Sequence, residues 1–221
     1  MITLKDVTVC FDEMRVLDVR SLQIGDGVKL AVTGSSGSGK TTLISVLCGL
    51  ERISSGSVMW DGIGLQDLSE IQKDRFRGEN VGFVMQDFHL YAGLSALQNV
   101  LLPIKFRYLK VPEKLTNRAL YLLDRLGIKR WSQSVDTLSR GEKQRVAIAR
   151  ALINSPKVII ADEPTASLDM QNGMRAASLL ISLADEFKAS LICATHEPFL
   201  IEKLTYRLDL EKGKSVEGSF V

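Results

Sequence analysis

The chain has 221 residues, 45% hydrophobic and 24% charged, with 28 Lys and Arg against 26 Asp and Glu and a formal net charge of +2. That length allows one large domain, or one core with a smaller lobe, and the apolar share excludes a disordered chain. The near balance of charge gives no electrostatic case for a nucleic-acid partner, no apolar run reaches the ~18 residues needed to cross a bilayer, and the N-terminus carries acids where a signal peptide would be apolar. Cys10, Cys48 and Cys193 lie far apart with no CxxC spacing, which predicts reduced thiols in a cytosolic chain.

In chain order, Ile2 to Phe11 and Val16 to Ile24 read as short strands, the second ending at Gly25-Asp-Gly27. Val28 to Thr33 is a short apolar run that stops at a glycine- and serine-rich turn, Gly34 to Gly39. Thr41 to Leu50 has helical spacing, with Leu43, Val46, Leu47 and Leu50 on one face. Ser57 to Trp60 and Val81 to Met85 are further strands. From Asp87 to Val135 the pattern is helical, with Asn99 to Tyr108 around Pro103 and then Glu113 to Leu126 closed by Gly127. Ser139 or a neighbour caps a helix from about Glu142 to Leu152, stopped by Asn154-Ser-Pro156. Val158 to Ala161 is a buried-type strand, Met174 to Phe187 an amphipathic helix, and Leu191 to Thr195 a last core strand before His196. Strands alternating with helices predict an α/β core with a parallel sheet. The strandless middle reads as a helical lobe inserted into it.

Gly34-Ser-Ser-Gly-Ser-Gly-Lys40-Thr41 fits G-x-x-x-x-G-K-[ST]. Glycines let successive backbone N–H groups point at one anion, and the N-terminus of the following helix adds partial positive charge. Lys40 can neutralise the β- and γ-phosphates, and the Thr41 hydroxyl can ligate Mg²⁺. The loop alone says nucleotide phosphate; it does not separate a kinase, a GTPase, a helicase and a transporter motor. Val158 to Pro164 places Asp162 and Glu163 at the carboxyl end of an apolar strand, where parallel sheets present ligands. Asp162 there can hold Mg²⁺, and Glu163 can polarise a water aimed at the γ-phosphate.

Leu138-Ser139-Arg140-Gly141-Glu142-Lys-Gln144-Arg145 resembles the LSGGQ signature of ABC ATPases. Other elements of that family fall in order. Gln86 after the strand VGFVM matches the Q-loop glutamine, Ser167-Leu168-Asp169 the D-loop, and His196 after LICAT the switch histidine; Phe11 stands where an aromatic ring stacks on adenine. The stretch Arg77 to Ile104 is most similar to the lipoprotein-releasing, macrolide-exporter and cell-division subgroup. The resemblance implies a P-loop NTPase (RecA-like) α/β core with an N-terminal antiparallel β subdomain and an inserted helical subdomain. Residues of about 1–86 and 139–221 would form the β subdomain and nucleotide-binding core, and about 87–138 the helical subdomain.

The implied activity is ATP hydrolysis that drives a separate membrane-spanning permease from the cytoplasmic face of the inner membrane. Two subunits would meet head to tail, each ATP lying between one phosphate loop and the other subunit's signature. Glu163, His196 and Gln86 would serve catalysis, and Thr41, Gln86 and Asp162 the Mg²⁺. Nucleotide would be bound by Phe11, by Gly34, Ser35, Ser36, Gly37, Ser38, Gly39, Lys40, Thr41 and Thr42 of the loop, and by Ser139, Gly141, Glu142 and Asp169 across the dimer. The stripe Phe83, Phe88, Leu90, Tyr91 and Leu94 reads as packing, and it also falls where relatives receive a helix of the membrane partner. Two departures stand out: Arg140 replaces the first signature glycine, leaving Gly141 to provide close backbone approach, and Glu142 replaces the usual glutamine. The chain has neither the second ATPase half nor the coiled coil of soluble ABC proteins in translation or DNA repair. Intact Lys40, Thr41, Asp162, Glu163 and His196 argue against a binding-only pseudo-ATPase.

Overall fold

The computed structural model describes residues 1–212 and 216–221. The elements in order are β1 (Ile2–Phe11), β2 (Met14–Ile24), β3 (Lys29–Gly34), α1 (Lys40–Leu47), β4 (Ser55–Trp60), β5 (Ile63–Gly64), α2 (Glu70–Asn80), β6 (Val81–Val84), α3 (Ala96–Lys105), α4 (Glu113–Arg125), α5 (Arg140–Leu152), β7 (Val158–Asp162), α6 (Met170–Glu186), β8 (Ser190–Ala194), α7 (Pro198–Ile201), β9 (Tyr206–Leu210) and β10 (Val216–Phe220). The chain divides into two compact units, residues 1–77 with 190–221, and residues 78–189. The segment expected to be helical, about 87–138, falls within the second.

The first unit contains an antiparallel sheet in the order β10-β2-β1-β4-β5, with only β10 running parallel to its neighbour. β1 has the expected bounds, and β2 starts at Met14, two residues before Val16, because the two form one hairpin paired from Ile2↔Ile24 to Phe11↔Met14. Along β1 the buried residues are Ile2, Leu4, Val7 and Val9. The alternation slips by one at Asp6, which has a positive φ of 48° and sits where the pairing with β4 loses register. The bulge returns Val7 to the core face. A second group of strands places β3 between β8 and β9, parallel to both. β8 is buried at every position and β3 at its four central ones, the pattern of strands covered on both faces. α1 packs under β3 and β8 with Leu43, Ile44, Val46 and Leu47 buried. Cys48 follows it, its thiol pushed up to about 12 by burial, so it is not a nucleophile at neutral pH.

In the second unit β6 and β7 pair in parallel, and α5 packs against β6, α3, α4 and α6. The approach of α5 to β6 is close: a Cβ on Gly82 would lie 2.4 Å from the Ala151 carbonyl oxygen. The carboxyl end of α5 is closed by α4, whose Arg118 donates to the carbonyls of Ile153 (2.9 Å) and Leu152 (3.1 Å). α6 begins four residues before the apolar spacing suggested, because Asp169 caps it. Its buried residues Gly173, Ala176, Ala177, Leu180, Leu183 and Ala184 form one stripe. No described helix is long and apolar enough to cross a membrane. Gly82→Ala is expected to lower stability by about 1–3 kcal/mol through overpacking. Gly78→Ala, in α2 with nothing within 4 Å of the new methyl, should be neutral or gain up to about 1 kcal/mol. Urea unfolding of both variants checks the contrast.

Candidate functional site

In the first unit, β3 ends at Gly34 and α1 begins at Lys40. The loop between them curls so tightly that Gly34, with φ 143°, could carry no side chain: its Cβ would sit 2.4 Å from Leu210 O and 2.6 Å from Ser38 Oγ. The N-cap of α1 is Gly39, no side chain caps the helix, and no acid lies in its first turn. Its leading N–H groups thus present partial positive charge with no carboxylate of their own to meet. Lys40 arches back over the loop, its Nζ donating to Gly34 O (2.8 Å) and Ser35 O (3.0 Å). Ser38 is buried, and its Oγ has no protein hydrogen bond. Glycine cradle, uncapped helix, inward hydroxyl and lysine together fit an oxyanion of phosphate type. Ser35, Ser36, Gly37 and Thr41 are exposed, and Thr42 is half-buried.

β8 brings His196 to the same end of that sheet. Val32 is paired with Ala194, and Thr195 N donates to Val32 O (3.1 Å), so two residues beyond the ladder Gly34 and His196 leave neighbouring strands. The imidazole is largely exposed, 3.8 Å from the Glu197 carboxylate. Phe11, at the end of β1, is 48% exposed.

The second unit repeats this register. Val84 of β6 pairs with Ala161 of β7, so Gln86 and Glu163 each lie two residues past the last ladder pair. Gln86 is exposed; Asp162 and Glu163 are half-buried. Glu163 has φ 45°, and after Gln86 come Phe88 (φ 23°) and His89 (φ 45°). Such left-handed conformations cost non-glycine residues about 1–3 kcal/mol each and concentrate at functional sites. Among the described residues no group of three His, Cys, Asp or Glu could hold a metal ion. Mg²⁺ bound through one or two carboxylates and substrate phosphates needs no such cage.

Ser139 is the N-cap of α5. Its Oγ accepts from Glu142 N (3.3 Å) and donates to Glu142 Oε2 (2.8 Å), which also accepts from Ser139 N (2.9 Å). Arg130 adds contacts of 3.3 Å to both carboxylate oxygens. Burial disfavours the Glu142 charge, but the Ser139 N–H and hydroxyl and Arg130 outweigh it and hold the carboxyl below its ordinary range. Glutamate at this position is therefore half of a capping box. Asp169 caps α6 in the same manner, accepting from Asn172 N (3.0 Å) and Nδ2 (2.6 Å). Those bonds, the backbone one first, keep its carboxyl low. A Cβ on Gly141 would stand 3.4 Å from Asn172 Oδ1, so Asn172, bonded to Asp169, packs beside the start of α5. The sequence reading passed over Asn172, although an amide three residues after an aspartate cap was the available signal. Arg140 carries its guanidinium 6.0 Å from the Phe88 ring centre, over the turn that follows Gln86.

A family model for ABC transporters matches residues 17–166. The chain belongs to the ABC transporter family. It is 38% identical over 94% of its length to the lipoprotein-releasing system ATP-binding protein LolD of Chromohalobacter salexigens, covering 87% of that protein. LolD of Shewanella denitrificans is also 38% identical, over 91% of this chain and 86% of that one. Among solved structures, the ATP-binding cassette MJ0796, as a dimeric post-hydrolysis state bound to ADP and Pi, superimposes with a TM-score of 0.86 at 34% identity, covering 99% of this chain and 97% of the other. CbiO1 of Clostridium perfringens, part of a CbiONQ complex, gives 0.86 at 29% identity over 96% and 85%. The expected α/β nucleotide-binding fold is thus the fold present, and this ABC subunit binds and hydrolyses ATP.

The cap gives a pH-dependent prediction. A carboxyl held low in the folded state contributes stability above its unfolded pKa and loses it as pH falls through the folded one. Glu142→Gln keeps the cap geometry and loses the charge. It should cost up to about 1 kcal/mol at neutral pH. The gap to the parent should close on acidification below the depressed Glu142 pKa, as followed by urea midpoints across pH.

Proposed function

We propose that this chain is the ATPase half of a membrane machine in which two copies clamp two ATP molecules. The observation that carries the reading is the phosphate loop with its uncapped α1 and inward Lys40. One anionic group would satisfy the helix N-terminus, the lysine and Ser38 together. The loop residues Gly34 to Thr42 would bind the triphosphate and Phe11 the base. Thr41, Gln86 and Asp162 would hold Mg²⁺, which supplies charge neutralisation on the β- and γ-phosphates. Glu163 would accept the proton of the attacking water while the bond from the γ-phosphorus to the ADP oxygen breaks. His196 would hydrogen-bond the γ-phosphate, and Gln86 would orient the water. Ser139, Gly141, Glu142 and Asp169 would serve the other copy's nucleotide. A nucleotide-binding core of about 1–86 with 139–221 and a helical subdomain of about 87–138 accompany this reading.

A separate integral membrane permease would receive the force, with this chain peripheral on the cytoplasmic side of the inner membrane. The similarity to LolD proteins favours a partner that handles lipoproteins. MJ0796, dimeric with ADP and Pi, supports the paired arrangement.

Glu163→Gln should lower ATP turnover by roughly a hundredfold or more and accumulate as a dimer with ATP in light scattering. Lys40→Ala should weaken ATP binding by at least roughly tenfold and stay monomeric. Wild-type turnover in Glu163→Gln would remove the base assignment. A dimer-competent Glu163→Gln that retains no integral membrane protein from a detergent extract of its own cells would remove the transporter assignment.

A further inference from the structure

Arg150 lies in the last turn of α5, partly buried. Among the described residues it pairs with no carboxylate; its two bonds go to backbone, Nη1 to His89 O and Nη2 to Phe88 O, both at 2.6 Å. These are the two consecutive carbonyls of the left-handed turn, two and three residues after Gln86. A planar guanidinium can donate to two neighbouring oxygens at once; an ammonium is a point charge with no such fork. The Phe88 ring at this turn is buried, with the Arg140 guanidinium of α5 6.0 Å from its centre. His89 N bonds Asp87 O, and the segment farther on is held separately by buried Asn99 of α3, which bonds the backbone of Tyr91, Leu94 and Ser95. The half nearest Gln86 thus depends on α5, and the far half on α3. Ser139 begins the helix that ends near Arg150, about 16 Å away along its axis.

We infer that Arg150 is the positioning residue for Gln86: by gripping the Phe88 and His89 carbonyls it holds the turn left-handed and fixes Gln86 to the signature helix. This rests on the reading of Gln86 as the residue that orients the water. Without the fork the turn relaxes toward negative φ, and Gln86 shifts while the phosphate loop is untouched. Removal therefore acts on the chemical step and not on ATP affinity, since a small misplacement of a catalytic group can cost up to about a hundredfold.

The test is basal ATPase of the full-length chain. Arg150→Lys should lower kcat by roughly ten- to a hundredfold, with the Kd for ATP unchanged within about twofold and more Mg²⁺ needed for half-maximal rate. In a Gln86→Ala background the same change should have almost no further effect. His89→Pro, which forces a negative φ at an exposed position, should reproduce the kcat loss with Arg150 intact, and it decides the matter if Arg150→Lys does not fold. Wild-type turnover in His89→Pro or Arg150→Lys, or losses that multiply with Gln86→Ala, would overturn the inference while leaving Gln86 its role. A silent Gln86→Ala would overturn the role of Gln86 itself, and the inference with it.

Discussion

A helix N-terminus needs a partner for its N–H groups, and α1 has none from its own side chains. That unmet demand organises the first unit. β3 must stop at a residue without a Cβ, because the Leu210 carbonyl of β9 lies against Gly34. The chain must then turn back on itself before α1, which leaves Ser38 buried with its hydroxyl unbonded by protein and Lys40 folded onto the loop's carbonyls. In a solvent-exposed turn such an arrangement would be unfavourable on every count. Around a phosphate oxygen each feature becomes a contact, so binding stabilises a conformation that the loop alone pays for in strain and desolvation.

The other functional helices handle the same problem oppositely. α3, α5 and α6 are capped from within the chain, by Ser95 with Gln98, Ser139 with Glu142, and Asp169. A capped signature helix offers less free N–H dipole than α1 does.

In the second unit, cations solvated by carbonyls recur. Arg118 bonds the carbonyls that close α5 and also lies 4.7 Å from the Phe187 ring centre. Arg150 bonds those of the turn after Gln86. Burial pushes both guanidinium groups down from their ordinary values. An arginine that bonds main chain holds backbone shape whatever side chains the loop carries.

The phosphate loop, the acidic strand end and the signature were legible because phosphate chemistry requires particular residues at fixed short spacing, and the strands before them are short apolar runs. α2 was not: it buries no side chain, so no apolar stripe marks it. β9 and β10 were missed because each is only five residues long, and β10 buries Val216 alone, too little apolar pattern to mark a strand. Arg150 was missed because its partners lie about 60 residues away along the chain, and no local spacing encodes them. Local sequence by itself determined the nucleotide chemistry, since a glycine cradle, a lysine and an acid after a strand act over a few residues. Tertiary packing decided which helix ends are capped, which backbone is held left-handed, and what grips it, because those depend on carbonyls and side chains brought together only when distant strands and helices meet.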